Sequence, residues 1–532
     1  MQFRSALILF SFVTSTYAYN ILFYNAARIG QSHVFYVGRL ADWLSEAGHN
    51  VTFYQQDVAK SSNKVGVKLA RAYVRPQINF TIEDFDQDEF WTANRDANLK
   101  FLQFFGNSQN KACVSQLNDD QLIAQIKSEK YDFAVVEYFD CCAYAIIEKA
   151  GIKKYGTASA LMLNKLISDS LGLPLGLGVI PNWNDDLSPQ PTFSQRLHAL
   201  IGHYTGTFIY SKYIFGPLIK TIKQLHNPNF DIKHHISQSS YIFVNSDEHL
   251  ALQQPITSKI LYVGGTDAKQ KPIKALNHDI QKIVDSAEEG VVLVSFGTVA
   301  KASEMPKQLS DALVDTFKTY PKINFIWKYE VEDTVGANVT NLFKRPWVPQ
   351  HDLLGNKKIL AFITHGGLNS ISETAEMGVP TVCIPVFGDQ PLNCQAAQAH
   401  GISIMMDKAT LTAETLKKTL DTVMHDQSMR KKVKQMADLI NHKPIPSKER
   451  FVKHVEHAIR FNVNEALDMA ARSQGFVRGY NLDFIAAQLA VLATVLIVFY
   501  YSTKLTIRML MKIVYKLYDM STSRVGLQKK ID

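Results

Sequence analysis

One short stretch of this 532-residue chain gathers side chains that can act on a single ligand. From Phe362 to Gln390, FITHGGLNSISETAEMGVPTVCIPVFGDQ places His365 before a Gly pair, Asn369 and Glu373 four residues apart, and Asp389-Gln390 after a further apolar run. A Gly turn at the entrance to a helix leaves backbone N–H groups open to an anion, and a diphosphate is the natural guest. Asn369 and Glu373 share one helix face, so a phosphate contact at the first turn and a carboxylate one turn deeper meet the same molecule. A carboxylate at that depth suits the vicinal hydroxyls of a ribose. His365 can donate to a phosphate oxygen, and Asp389 and Gln390 offer acceptors and donors to further hydroxyls. A second Gly turn, SFGT at 295–298, ends another strand and forms the same kind of anion cradle.

The elements that must hold these residues read as two successive runs of strand, loop and helix. YNILFYNAARIGQSHVFYVGRLADWLSEAGHNVTFYQQ predicts a strand at Asn20–Asn25, a loop to Ser32, a helix from about His33 to Ala47 ended by Gly48, and a strand from Val51 to Tyr54. Val34, Val37, Leu40 and Leu44 keep helical spacing, which makes this a βαβ unit of a parallel sheet. YDFAVVEYFD reads as a later strand ending at Asp140, with a less regular region between, roughly 57–110, that includes the acidic run EDFDQDEFW. LGLPLGLGVIPNWNDDLSPQP from Leu171 reads as loop. The pattern restarts with GVVLVSFGTV, PKQLSDALVDTFKTY, KINFIWKYE, ILAFITHGG, LNSISETAEMG and TVCIPVF, which alternate strand and helix. The boundary between the two lobes is placed near residue 285, and helices from about Thr412 to Phe461 and at EALDMAARSQG follow.

The bulk properties narrow the setting. The net charge of +8 is concentrated in residues 504–532, where seven Lys/Arg face Asp519 and Asp532, so no nucleic-acid partner is called for. MQFRSALILFSFVTSTYAYN, with Arg4, an apolar run and small residues to Ala18, has the layout of a secretory signal peptide over residues 1–18. FIAAQLAVLATVLIVFYYST, residues 484–503, carries no charge and has the length of one transmembrane helix, and the Lys/Arg excess behind it predicts a cytosolic tail at 504–532. Together these predict a type I membrane protein. Lys529-Lys530-Ile531-Asp532 resembles the di-lysine retrieval signal of endoplasmic-reticulum membrane proteins. Cys113, Cys141, Cys142, Cys383 and Cys394 are too few and too irregular for a disulfide scaffold or a zinc site. Sequons stand at Asn50, expected to be hidden in a strand, and at Asn79 and Asn338.

The stretch from Trp347, WVPQHDLLGNKKILAFITHGGLNSISETAEMGVPTVCIPVFGDQ, resembles the donor signature of the UDP-glycosyltransferases, in the endoplasmic-reticulum form of the animal UDP-glucuronosyltransferases. The resemblance extends over the signal peptide, the His33 loop, SFGT, the signature, the span and the di-lysine tail. It implies an α/β protein of GT-B fold, two Rossmann-like lobes facing a cleft plus one C-terminal transmembrane helix: an acceptor-binding lobe at 19–285, and a UDP-sugar-binding lobe with return helices at 286–475. It further implies inversion at the sugar, no metal, and no cofactor beyond the UDP-sugar co-substrate. Position by position, it makes Trp347 the platform that stacks on uracil and Gln350 its hydrogen-bonding partner. His365, Asn369 and Ser370, joined by Ser295 and Thr298, would hold the diphosphate, Glu373 the ribose, and Asp389 and Gln390 the transferred sugar.

An inverting transfer to a hydroxyl needs a base for the acceptor proton. His33 matches the family's catalytic histidine, and the positive end of the helix dipole is expected to keep its imidazole neutral. The family pairs this His with an aspartate that orients it; the matching position here is Glu137, and Asp140, three residues on, competes for the role. The Asp-x-Asp pattern within DFDQDE reads as a solvated acidic loop, not a manganese site. The expected donor is UDP-glucuronic acid, with UDP-glucose as the alternative. The expected acceptors are small lipophilic molecules bearing hydroxyls that arrive from the membrane; a pseudoenzyme that binds UDP-sugar without turnover is the rival of another class. Homo- or hetero-oligomers enter only by family analogy.

Overall fold

The computed structural model describes residues 18–25, 30–56, 65–75, 87–92, 99–173, 191–265, 272–473, 475–479 and 481–528. The signal peptide up to residue 17, the Asn79 sequon, most of the Gly/Pro-rich stretch after Leu171 and the di-lysine end lie outside the described residues.

The first lobe is built on seven parallel strands: β1 (Asn20–Asn25), β2 (Asn50–Gln56), β3 (Arg71–Arg75), β4 (Phe133–Glu137), β5 (Tyr155–Ser159), β6 (Ile242–Val244) and β7 (Ile260–Tyr262), in the order β3-β2-β1-β4-β5-β6-β7. From β1 the chain crosses to β2 on one side, and from β4 to β5 on the other. The strand order thus switches direction between β1 and β4, the place where a crevice opens at the carboxyl ends of the strands. Helix α1 (Gln31–Glu46) follows β1 and buries Val34, Val37, Leu40 and Leu44 against the sheet, the stripe that its spacing predicts. Asn50 is not hidden: it is the exposed first residue of β2, and its Nδ2 donates to Asn20 Oδ1 at 2.8 Å.

The region 57–110 is more regular than the sequence pattern implies. Besides β3 it holds helix α2 (Gln87–Thr92) and the start of α3 (Leu99–Leu117). The first part of the acidic run, with Asp84 and Asp86, lies outside the described residues; its end, from Gln87, is helix and not loop. Phe90 and Trp91 of α2 are buried among Phe296, Ala300 and Ala302 of the second lobe, and Trp91 Nε1 donates to the Lys301 carbonyl at 3.0 Å. Asp88 and Glu89 stay on the polar side of this short amphipathic bridge. Strand β4 stops at Glu137, short of Asp140, because Asp140 serves as the N-cap of α4 (Cys141–Lys149), its carboxylate accepting from Cys142 N at 3.1 Å. A Cys113–Cys142 disulfide ties α3 to α4, and Cys141 is free and buried. Helix α5 (Phe193–Tyr210) is opened by a capping box between Thr192 and Gln195.

Helix α6 (His278–Ser286) packs Ile280, Ile283 and Val284 against Val291, Leu293 and Phe362 of the second sheet, so the chain changes sheets before His278. That sheet has six parallel strands, β8 (Gly290–Ser295), β9 (Ile323–Lys328), β10 (Leu342–Arg345), β11 (Ile359–Thr364), β12 (Thr381–Cys383) and β13 (Ser403–Met405), ordered β10-β9-β8-β11-β12-β13. The switch point recurs between β8 and β11. Three helices face it: α7 (Gln350–Leu354), α8 (Leu368–Met377), closed by Gly378 at φ 69°, and α9 (Gln390–Ala399). Helix α10 (Ser447–Arg460) returns to the first lobe and packs Phe451, Val455 and Ala458 among Ile21, Phe23 and Trp43.

Residues 469–532 form a separate compact unit. EALDMAARSQG, expected as one helix, gives two short ones, Val463–Ala466 and Ala470–Ser473. Helix α11 (Leu482–Gln528) runs unbroken through the apolar stretch and most of the basic tail, and an 18-residue window in it reaches mean hydropathy 2.3. It is long and apolar enough to cross a membrane.

Candidate active site

A cavity of about 640 Å³ lies where the carboxyl edges of the two sheets face each other. His33 lines it from the first lobe; Ser295, Thr298, Trp347, Gln350, His365, Asn369, Ser370, Glu373, Asp389 and Gln390 line it from the second. Of the site residues expected from the sequence, Glu137 and its competitor Asp140 are not on the wall; Glu137 stands behind His33.

The His33–Glu137 pair follows from the first switch point. His33 sits in the first turn of α1 after β1, and Glu137 is the last residue of β4, hydrogen-bonded to β1 along its length. His33 Nδ1 is 3.5 Å from Glu137 Oε1, within ion-pair reach though long for a hydrogen bond. Glu137 is itself held in place: Phe139 N donates to its Oε2 at 3.1 Å and Ala160 N to its Oε1 at 3.4 Å. With its carboxylate committed to capping α4, Asp140 is not the group facing His33. Burial disfavours the imidazolium, but Glu137 beside the ring and Asp389 across the cleft outweigh it, so His33 titrates above the ordinary histidine value. The shift runs opposite in direction to the one expected from the helix dipole alone.

The donor half follows from the second switch point. Ser295 ends β8, and His365 follows β11 directly, so the SFGT and THGG turns lie side by side. The His365 ring packs over both. A Cβ at Gly297, where φ is +83°, would stand 2.6 Å from His365 Nε2, and one at Gly367 would stand 2.7 Å away. Burial, helped by the nearby Lys328 charge and opposed by the Ser295 backbone, pushes the His365 pKa down to about 4. The ring is thus neutral at physiological pH and keeps one N–H for donation. No side chain caps α8, which leaves its first-turn N–H groups to a ligand. Gln350 Nε2 donates to Glu373 Oε2 at 2.7 Å and to Ser370 Oγ at 3.2 Å, so three of the expected contacts form one network. Trp347, 65% exposed, offers its ring at the cavity wall. Burial raises the Asp389 carboxyl above the usual range, against a 2.7 Å hydrogen bond from Asn393 Nδ2 and the His33 charge. Gln390 Oε1 accepts from Val386 N at 2.8 Å and Phe387 N at 3.0 Å, fixing the loop that carries Asp389.

Several contributors escaped the sequence reading. Asn393 bridges Asp389 and the Gly366 carbonyl, a partner that its i+4 spacing from Asp389 could have signalled. Lys328 lines the cavity while its Nζ donates to the Gly297 carbonyl at 2.8 Å and pairs with Glu330. A Cys383–Cys394 disulfide staples β12 to α9 directly under the donor loop, where a Cβ at Gly366 would meet Cys394 Sγ at 2.2 Å. Asn245 at the end of β6 reaches Asn369 at 3.4 Å from the opposite lobe. Phe90, Phe105, Phe139, Leu161, Tyr210 and Ile214 give the first-lobe side of the cavity a wall of apolar and aromatic groups. None of these last carries a local motif, since they come together only through packing.

Two doubly wound lobes whose carboxyl strand ends face one cavity define a GT-B fold. Comparison with known proteins gives the family. The chain belongs to the family described as UDP-glucoronosyl and UDP-glucosyl transferase, whose model matches residues 29–517. Among its relatives, the putative UDP-glucuronosyltransferase ugt-46 of Caenorhabditis elegans is 27% identical over 90% of this chain and 92% of its own length. The 2-hydroxyacylsphingosine 1-beta-galactosyltransferase of Homo sapiens is 28% identical over 85% and 82%. A UDP-glucosyltransferase from Polygonum tinctorium superposes with a TM-score of 0.57 at 14% identity, covering 84% of this chain and 99% of that one, which is a likeness of fold. The protein is a UDP-glycosyltransferase enzyme, and a UDP-sugar is its donor.

Proposed function

We propose that the protein transfers glucuronic acid from UDP-glucuronic acid, with inversion, to hydroxyls of small lipophilic acceptors, needing no metal or further cofactor. The carrying observation is that His33, with Glu137 behind it, faces the residues expected to hold the donor across one cavity whose first-lobe side is largely apolar and aromatic. In this reading Trp347 stacks on uracil with Gln350 at its edge. Ser295, Thr298, His365, Asn369 and Ser370 hold the diphosphate, Glu373 the ribose, and Asp389 and Gln390 the sugar hydroxyls. The acceptor oxygen attacks the anomeric carbon as the bond to UDP breaks. Its proton passes to His33 Nε2, and Glu137 at Nδ1 stabilises the imidazolium. The charge developing on the departing diphosphate meets the N-terminus of α8 and His365. The setting is the endoplasmic-reticulum membrane, as a single-pass type I protein with both lobes lumenal, in agreement with the span-length helix and the basic residues that follow its apolar part.

The donor sugar is the open choice, since Asp389 and Gln390 suit glucose equally well. The putative UDP-glucuronosyltransferases among its relatives favour the uronate. The test is a mass-resolved transfer assay on membranes carrying the full chain, offering UDP-glucuronic acid and UDP-glucose together to phenols and steroids, beside His33→Ala. A product with an added glucuronic acid, absent from the variant, is expected. A glucosylated product would replace the donor, and no product although UDP raises the unfolding temperature would point to the binding-only alternative.

A further inference from the structure

We propose that α5 lies in the surface of the lipid bilayer, with its outward face inserted among the headgroups and upper acyl chains. Phe193, Leu197, Ile201, Tyr204 and Phe208 are 72, 45, 54, 54 and 66% exposed. At 100° per residue they fall within an arc of about 80°, a single apolar stripe along the helix. The opposite face carries Ala199, the one fully buried residue of the helix, with Gly202 and Gly206 half-buried beside it. A continuous exposed stripe of large apolar groups is not the ordinary state of a solvated surface.

Charge and position favour lipid as the occupant. Arg196 and Lys212 stand near the two ends of the stripe, each with its cation 6.0 Å from a stripe ring, Phe193 and Phe208 respectively. This is the layout of an interfacial helix whose cations reach up to lipid phosphates. The chain supplies its own span-length helix, so a bilayer is within reach of the molecule. A stable dimer covers about 800 Å² per partner; a one-helix stripe edged by Ser194, His198 and Thr205 is narrower. The helix also runs directly into the cavity: Tyr210, its last residue, and Ile214, in the turn that continues it, line the acceptor side. An apolar acceptor dissolved in the bilayer surface thereby reaches the cavity without crossing water. This route rests on the lipophilic-acceptor reading above, whereas the membrane contact does not.

The full chain, reconstituted in phosphatidylcholine vesicles containing some phosphatidylserine, is labelled with an environment-sensitive fluorophore at Ile201→Cys or at Phe208→Cys. Lys318→Cys, exposed on the second lobe, is the control. Both stripe positions are expected to emit at shorter wavelength and to be quenched several-fold more by spin-labelled lipid than the control. Quenching at neither would overturn the proposal. An apolar emission without lipid quenching, with Ile201→Cys cross-linking between copies, would also overturn it and assign the face to a second copy. Quenching in a preparation that transfers no sugar would leave the membrane contact standing and sink the catalytic reading instead. As a second readout, combined Leu197→Gln, Ile201→Gln and Phe208→Gln should raise the apparent KM for a membrane-partitioned acceptor several-fold and leave that for a water-soluble acceptor unchanged; equal KM values for the partitioned acceptor would reject the delivery route.

Discussion

The two lobes share one strand order through their first six positions, yet they build their halves of the site differently. In the second lobe the residues expected to meet the donor come from two stretches, one around SFGT and one from Trp347 to Gln390 that runs through α7, β11, α8 and β12 into α9. In the first lobe the wall comes from α1, α2, α3, the ends of β4 and β5, and the turn after α5, up to 180 residues apart in sequence. A nucleotide diphosphate makes the same demands on every enzyme that uses it, so a compact local motif can meet them. An acceptor pocket needs only apolar shape, which any packed helices can provide.

The sharpest test of that division is His33→Ala. It should lower kcat by about 10²–10⁴-fold while UDP still protects the protein thermally; loss of UDP binding as well would mean that the halves are not separable. Glu137→Gln should cost roughly 10²-fold in kcat by removing the charge that supports the imidazolium. Because a base acts in its neutral form, the rate should rise with pH through a midpoint above the ordinary histidine value of about 6.5, in line with the raised pKa of His33. Glu137→Gln should move that midpoint to lower pH, and an unmoved pH–rate profile would detach Glu137 from the base. Trp347→Ala should weaken UDP-sugar binding about 5–150-fold, the value of one stacked base, with the acceptor KM unchanged; titration calorimetry with UDP reads this directly. The smallest effect is expected from Cys394→Ala, which frees α9 from β12 beneath Gly366. Donor KM should rise a few-fold with kcat nearly kept, and equal donor KM values for the two proteins would show that the staple does not position the loop.

Legibility followed the same division. The His365, Asn369 and Glu373 cluster was readable because side chains one helical turn apart must share a face, whatever the rest of the fold does. The βαβ start of the chain was readable from the Val34, Val37, Leu40 and Leu44 stripe. The choice between Glu137 and Asp140 was not, since both end the same apolar run and only the cap of α4 removes one of them. The burial of Phe90 and Trp91, next to the acidic run, was not legible, since it depends on a second lobe that begins some two hundred residues later.

By itself, then, the sequence determined two α/β lobes, a candidate nucleotide clamp, a candidate base and a span-length apolar helix, each read from local patterns along the chain. The tertiary structure decided which carboxylate faces His33, that Asp389 helps raise its pKa, that Cys383 and Cys394 meet under Gly366, and which aromatics form the acceptor wall. Local spacing is set by helix and strand geometry, which the chain carries with it; contacts across a cleft exist only once two separately patterned cores have packed and turned their strand ends toward one another.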